Sequence, residues 1–241
     1  MRVVAVRDSH ELAVAAADWV AAHLRDRPQS VLALPTGNTP VGMYAELVAR
    51  CRRRALSLDA VHVFNLDEYC GIASSDPNSY AAFMHKHLIE PAGLRAAQVR
   101  LLRGDAPDLH EECLRYDEAL DERGGIDLCI LGLGVNGHIA FNEPGTAWDQ
   151  RTHVTPLSHT TRATHAAQSA NPWRIPPFGI TMGIRTLLES RHVLLLIAGD
   201  QKREARNAFH AGVQDAAWPV TSLCGHPNLT TLELFAAADS R

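Results

Sequence analysis

Short apolar runs alternate with stretches in which apolar residues recur every three or four positions, almost from one end of the chain to the other. Residues 3–6 read as a first strand, and Leu12, Ala16, Val20 and Leu24 then fall on one face of a helix. Residues 31–34 form a second strand. Val41, Tyr44, Ala45 and Val48 mark the next helical face, which ends in the solvated run 50–54. Residues 61–66 are a third strand. Helical spacing then predicts helices over 79–88 and over 108–122, the latter through Leu109, Cys113, Tyr116 and Leu120. Residues 128–131 and 192–198 read as further strands, apolar without interruption over 128–131 and 193–198, as strands buried on both faces are. A helix over 201–211 follows the second of these, and 231–235 is a last strand. The alternation predicts an α/β fold: a doubly wound, mostly parallel sheet with helices on both faces, Rossmann-like. No repeat, low-complexity tract or linker interrupts it, so residues 1–241 are expected to form a single α/β domain.

Composition narrows the partners. At 46% apolar and 21% charged, the chain can bury a sizeable core without disulfide staples. A net charge of −4 argues against nucleic acid, which calls for a basic face. The five cysteines are odd in number and include no C-x-x-C pair, which suits reduced thiols in a cytoplasmic protein. The N-terminus does not read as a signal peptide, and no apolar run approaches the ~20 residues of a membrane span. One shift in composition stands out. Residues 150–188 hold no Asp or Glu but four arginines, Arg151, Arg162, Arg174 and Arg185, for a local charge of +4. That segment is either a wall for an anionic substrate or a basic surface balancing acidic helices. Pro172, Pro176, Pro177 and Gly179 interrupt it, so 146–180 is expected to be a lid or loop insertion over the site.

Candidate chemistry gathers where strands end. Pro35-Thr36-Gly37-Asn38-Thr39-Pro40 joins a strand to a helix, with Thr39 expected as N-cap and Pro40 as the first helical residue. Backbone N–H groups and hydroxyls there could hold a phosphate, or the segment is an ordinary turn; the P-loop spacing is absent. In Asn65-Leu66-Asp67-Glu68-Tyr69, two carboxylates follow an apolar run. One is expected to face the ligand crevice, as a general base would, and the other solvent or a basic partner. Gly132-Leu133-Gly134-Val135-Asn136-Gly137 matches the dinucleotide fingerprint literally. An apolar helix and a ribose-binding acid should follow it, yet neither does, so NAD is not expected. Asn136, His138 and Glu143 instead put an amide, an imidazole and a carboxylate behind a glycine turn, a set suited to moving a proton near neutral pH. Zinc signatures of the H-E-x-x-H and H-x-E…P-C-x-x-C kinds are missing, and His85-Lys86-His87 has no matching carboxylate motif, so no metal is expected.

Taken in order, Leu34-Pro35-Thr36-Gly37-Asn38-Thr39-Pro40, Asn65-Leu66-Asp67-Glu68-Tyr69, Gly134-Val135-Asn136-Gly137-His138-Ile139-Ala140-Phe141-Asn142-Glu143-Pro144-Gly145 and Gly199-Asp200-Gln201-Lys202 closely resemble the glucosamine-6-phosphate deaminases, of the glucosamine/galactosamine-6-phosphate isomerase family. Asp76-Pro77-Asn78-Ser79-Tyr80, Arg151-Thr152-His153-Val154, Thr181-Met182-Gly183-Ile184 and Leu223-Cys224-Gly225-His226 extend the likeness over nearly the whole chain. The related 6-phosphogluconolactonases share the fold but lack the H-I-A-F-N-E-P continuation.

The resemblance implies a hydrolase acting on a C–N bond, converting glucosamine 6-phosphate and water to fructose 6-phosphate and ammonia with no cofactor and no metal. It implies Asp67 as the base that moves a proton between C2 and C1. It implies His138 as the acid/base that opens the sugar ring, supported by Glu143 and position 136. Thr36, Gly37, Asn38, Thr39, Arg162 and Lys202 resemble the phosphate grip. The partner implied is a small-molecule sugar phosphate, with no nucleic acid and no membrane, and a homo-oligomer stays open because some relatives are hexamers. Three departures stand out. Some relatives carry Asp where this chain has Asn136; since an amide adds no charge, Glu143 is expected to support His138 alone. Residues 163–175 fit the family pattern poorly. His153 and Thr155 stand where the basic residues of an activator site would be, so that regulation is not expected.

Overall fold

The apolar runs at 31–34, 128–131 and 193–198 become strands that are covered on both faces. The computed structural model of the chain describes residues 1–168 and 173–235. In chain order the elements are β1 (Arg2–Val6), α1 (Ser9–Asp26), β2 (Val31–Leu34), α2 (Val41–Arg52), β3 (His62–Asn65), β4 (Asp67–Tyr69) and α3 (Tyr80–Met84). After a π-helical turn (His85–Ile89) come α4 (Glu90–Ala92), β5 (Val99–Arg100), α5 (Leu109–Asp121), β6 (Leu128–Gly132), β7 (His153–Pro156) and α6 (His159–Gln168). The chain continues through β8 (Phe178–Thr181), α7 (Ile184–Leu188), β9 (His192–Ala198), α8 (Arg203–His210) and β10 (Leu229–Leu234).

Seven strands form one sheet in the order β1-β10-β9-β6-β2-β3-β5, every pairing parallel, as the βαβ alternation predicts. Side chains of a strand point alternately to its two faces. In β9, Leu194 and Leu196 therefore join the core under α1 and α2, while Val193, Leu195 and Ile197 join the one under α5, α7 and α8. Each such leucine buried against helices contributes about 1.5–3 kcal/mol. Helix starts follow the polar residues ahead of them: Asp8 accepts the Glu11 N–H at 2.7 Å, and Asp108 accepts those of His110 and Glu111.

The second sheet was not expected. β4, β8 and β7 form a small antiparallel sheet in that order. The third strand does not run to residue 66, because the buried Asn65 side chain donates to Asp67 O at 2.7 Å and accepts Leu102 N–H at 2.9 Å. Those bonds turn the chain out of the large sheet and into the small one. The lid or loop insertion expected over 146–180 contains two strands and a helix, β7, α6 and β8, whose Pro- and Gly-containing sequences hide their pairing. Pro172, expected as one of its interruptions, lies outside the described residues.

Candidate active site

β2 and β6 are neighbours in the sheet, but the chain leaves β2 toward β3 on one side and β6 toward β9 on the other. Ligands of open α/β sheets bind outside the carboxyl ends of strands at such a reversal. A cavity of about 440 Å³ lies there, lined by the loops after β2 and β6, by Asp67 and Tyr69 of β4, and by Lys202 beyond β9.

The loop after β2 forms one wall. Gly37 adopts φ +92, a conformation costly to other residues. The Tyr44 hydroxyl of α2 donates to Pro35 O at 2.5 Å and pins the loop to the helix it precedes. Pro40, not Thr39, is the N-cap of α2, and no side chain caps it. The Val41 N–H bonds back to Asn38 O at 3.4 Å, closing a turn over Thr39 and Pro40, so the helix begins one residue later than expected. Among the described residues, the N–H groups of Gly37, Asn38 and Thr39 find no protein acceptor. Lys202 reaches the cavity from the short turn after Gly199, whose φ is +100. Burial pushes the Lys202 ammonium down to about 8, with no carboxylate opposing the shift. Arg162 is half-buried on α6 but does not line the cavity. Three- and four-residue spacing from Thr161 aims Thr164 and His165 inward instead, and among the described residues the buried Arg162 Nε has no hydrogen-bond partner.

The two neighbouring carboxylates separate by strand alternation. Asp67 lines the cavity and is buried, and burial first, then the charge of Glu68, pushes its carboxyl well above the usual range. Glu68 turns to the other side but meets neither solvent nor a basic partner, contrary to expectation. It accepts the N–H groups of Tyr69, Tyr80 and Ala81 at 2.8, 3.0 and 2.8 Å, and so anchors the start of α3. Burial pushes it up to about 7 against those bonds. Orphan amide donors at a helix start are a partner that sequence spacing does not reveal.

The glycine turn after β6 makes room for an imidazole. A side chain at Gly134 would come within 2.3 Å of the His138 ring. The His138 Nδ1 is 2.7 Å from Asn136 Oδ1, and an amide oxygen only accepts, so Nδ1 carries the proton and Nε2 the lone pair. The Asn136 amide donates in turn to Glu143 Oε2 at 2.7 Å, while Glu143 Oε1 accepts the Ser158 N–H at 3.0 Å. Glu143 thus does not support His138 alone. The neutral Asn136 stands between them and transmits its orientation. Thr161 adds a hydroxyl 3.2 Å from His138 Nδ1. Burial pushes His138 down to about 4, Glu143 opposing and the charges of His165 and Lys202 assisting. For Glu143 burial acts upward, but the Thr161 hydroxyl, His138, the Ser158 N–H and the Asn136 amide outweigh it and leave it lowered. Between His138 and Glu143 the chain folds sharply: Ala140 takes φ +49, and buried Asn142 donates to Ile139 O and Met182 O, each at 2.9 Å.

Sequence reasoning missed an aromatic wall. Tyr69, Tyr80, Phe141, His165 and Trp173 line the cavity together. The Tyr69 hydroxyl is 2.7 Å from His165 Nδ1, and the Tyr80 hydroxyl donates to that of Tyr69 at 3.2 Å. The four-residue step from Thr161 to His165 in an acid-free helix was the available signal. Among the described residues, no group of three or more His, Cys, Asp or Glu could hold a metal ion, and no helix is long and apolar enough to cross a membrane.

A buried carboxyl beyond β3, an oriented imidazole beyond β6 and, between them, an anion-ready loop beyond β2 fit a sugar-phosphate enzyme of the α/β class. Residues 7–231 match the model of the glucosamine-6-phosphate isomerases/6-phosphogluconolactonase family, and the chain belongs to that family. It is 40% identical to a glucosamine-6-phosphate deaminase of Lysinibacillus sphaericus, over 96% of this chain and 98% of the relative. It is 38% identical to glucosamine-6-phosphate deaminase 1 of Bacillus subtilis, over 96% of each. A solved structure described as a monomeric glucosamine-6-phosphate deaminase superposes with a TM-score of 0.95 at 37% identity, covering 100% of both chains. A 6-phosphogluconolactonase from Thermotoga maritima shares the fold, with a TM-score of 0.76 at 19% identity over 97% of this chain and 98% of that one.

Proposed function

We infer that the chain deaminates glucosamine 6-phosphate to fructose 6-phosphate and ammonia. The observation that carries this reading is one cavity lined together by Asp67, His138, the Thr36–Thr39 loop and Lys202. Near full-length likeness to deaminases supports it; the likeness to lactonases is one of fold alone.

The phosphate lies on the free N–H groups of Gly37, Asn38 and Thr39, on the threonine hydroxyls and on the Lys202 ammonium. Arg162 does not line the cavity, and this grip does not require it. The 146–180 segment closes the outer wall through Thr164, His165, Trp173 and Ile175. His138 Nε2, bearing the lone pair, takes the anomeric proton and returns it to the ring oxygen, opening the ring. Asn136 and Glu143 hold the imidazole for that exchange. Asp67 then removes the C2 proton. Burial, and then the charge of Glu68, make its carboxylate costly, and the substrate's ammonium group, one atom from that proton, supplies the missing positive charge. The same carboxyl delivers the proton to C1. The imine left at C2 adds water, its C–N bond breaks, and ammonia departs. The enzyme acts in the cytoplasm as a monomer, the latter supported by the relative described as monomeric.

Incubating the pure protein with glucosamine 6-phosphate tests the reading: ammonia and fructose 6-phosphate should appear in equal amounts. Turnover of only the galactosamine epimer, or of only 6-phosphogluconolactone, would overturn it.

A further inference from the structure

His165 has no part in the proton transfers assigned above, yet it lies between the groups that perform them. It leaves α6 on the same face as Thr161 and lines the cavity. Its ring stands edge-on to His138, with centroids 6.2 Å apart, and its Nδ1 is 2.7 Å from the Tyr69 hydroxyl. Tyr69 is two residues past Asp67 and so shares its strand face. His165 therefore stands between the ring-opening imidazole and the strand that carries the base.

Two hydroxyls converge on His165 Nδ1, that of Tyr69 at 2.7 Å and that of Tyr80 at 3.4 Å, which favours a nitrogen that accepts there. The lone pair is then on Nδ1 and the proton on Nε2. His138 is the reverse, with Nδ1–H on Asn136 and the lone pair on Nε2. Burial holds His165 down to about 4, against the charge of Glu143, so the ring is neutral near neutral pH. The cavity thus faces one imidazole that accepts and one that donates.

We propose that His165 is a further catalytic residue, whose neutral Nε2–H receives the C1 oxygen of the open-chain sugar as Asp67 takes the C2 proton. This rests on the roles given to Asp67 and His138 above. As the C2–H bond breaks, its electron pair forms the C1–C2 double bond and the carbonyl π pair moves onto the C1 oxygen. That oxygen takes a proton from the ammonium group on C2, giving a neutral amino-enol, and the Nε2–H proton stays on His165. A fixed donor aimed at developing charge lowers the barrier because nothing must reorganise.

His165→Phe keeps the ring and removes the donor. It should lower kcat roughly 10²–10³-fold, the range for losing one such donor, with little change in KM. The primary isotope effect of substrate deuterated at C2 should rise, which loss of packing alone would not cause. His165→Gln restores an N–H donor and should recover most of the loss. Tyr69→Phe, which frees the tautomer, should fall between them. Nitrogen NMR of the wild-type protein should find the His165 proton on Nε2. The proposal is overturned by a proton on Nδ1, by wild-type kcat in His165→Phe, or by equal losses in the Phe and Gln variants. A wild-type protein that releases no ammonia would instead sink the deaminase reading, leaving the tautomer measurement as it stands.

Discussion

In the phosphate grip, four consecutive residues and one lysine supply every contact proposed, and half of these are backbone N–H groups. Among the reacting groups each comes from a different element and is held by another: Asn136 by Glu143, Glu143 by the Ser158 N–H, His165 by Tyr69. The first set is local and additive. The second is a network in which one displaced side chain moves its neighbours, so its variants should lose turnover, whereas those of the first should lose affinity.

The sharpest test uses two adjacent residues. Asp67→Asn removes the base and should lower kcat by about 10³-fold or more, with KM nearly unchanged. Glu68→Gln, one position on, should leave turnover per folded molecule intact. A glutamine has one oxygen where the carboxylate uses two to hold three N–H groups. The variant should lose about 1–3 kcal/mol of stability, read as a Tm lowered by roughly 2–4 °C per kcal/mol. Similar kinetic losses in both would erase the distinction between the faces of β4. Next in size comes Gly134→Ala, whose new methyl must displace the His138 ring. A misplacement of about 1 Å can cost about 10²-fold in kcat. Full activity in this variant would mean that the position of His138 does not limit turnover.

The same contrast governs what was legible in the sequence. β2, β6 and β9 announce themselves because burial on both faces makes them apolar, β1, β3 and β10 by short runs of strand-forming residues, and α1, α2 and α5 because one face is apolar. β4, β7 and β8 are short and hold Pro, Gly and charged residues, and β4 pairs with β8 across more than a hundred positions, so no local period marks them. At the site, Gly37, Asp67 and His138 could be read because glycine turns and polar residues at strand ends have few other uses. Asn136 standing between Glu143 and His138, Glu68 holding the start of α3, and His165 against Tyr69 depend on how separate elements approach. The inward face of α6 decides that Thr164 and His165, rather than Arg162, line the cavity. Spacing narrows such choices; packing makes them.

A smaller effect belongs to the phosphate grip. Lys202→Ala should raise KM roughly 10–100-fold, as expected for losing about 1.5–3 kcal/mol of charged hydrogen bonding, and leave kcat nearly unchanged. The wild-type enzyme should show the same dependence with pH. The ammonium is depressed to about 8, so it is charged below that value and neutral above it. kcat/KM, which reports the free enzyme, should therefore fall as pH rises through about 8, and Lys202→Ala should not show that fall. A fall that persists in the variant would assign it to another group.

The smallest effect separates orientation from charge in the network. Asn136→Asp keeps the outline of the side chain and puts a carboxyl oxygen 2.7 Å from His138 Nδ1, where the amide oxygen now accepts. Its second oxygen meets Glu143 Oε2, and the two carboxyls must share a proton there. An opposite charge at that distance raises an imidazole by about 1–3 units, so His138 should titrate well above its present value of about 4. The activity profile is a poor witness, because Asp67, held high by burial, must also lose its proton as pH rises. NMR titration of the His138 ring is direct, and folding stability gives a second reading. A histidine whose folded value lies below its unfolded 6.5 loses stability as pH falls through that interval, because the unfolded chain takes the proton first. The variant, with a smaller gap, should lose less. At the pH of optimal turnover kcat should change only a few-fold, since the ring keeps its position and its Nε2 lone pair. If the ring titrates unchanged, the link through residue 136 carries neither charge nor contact, and Thr161 alone orients His138.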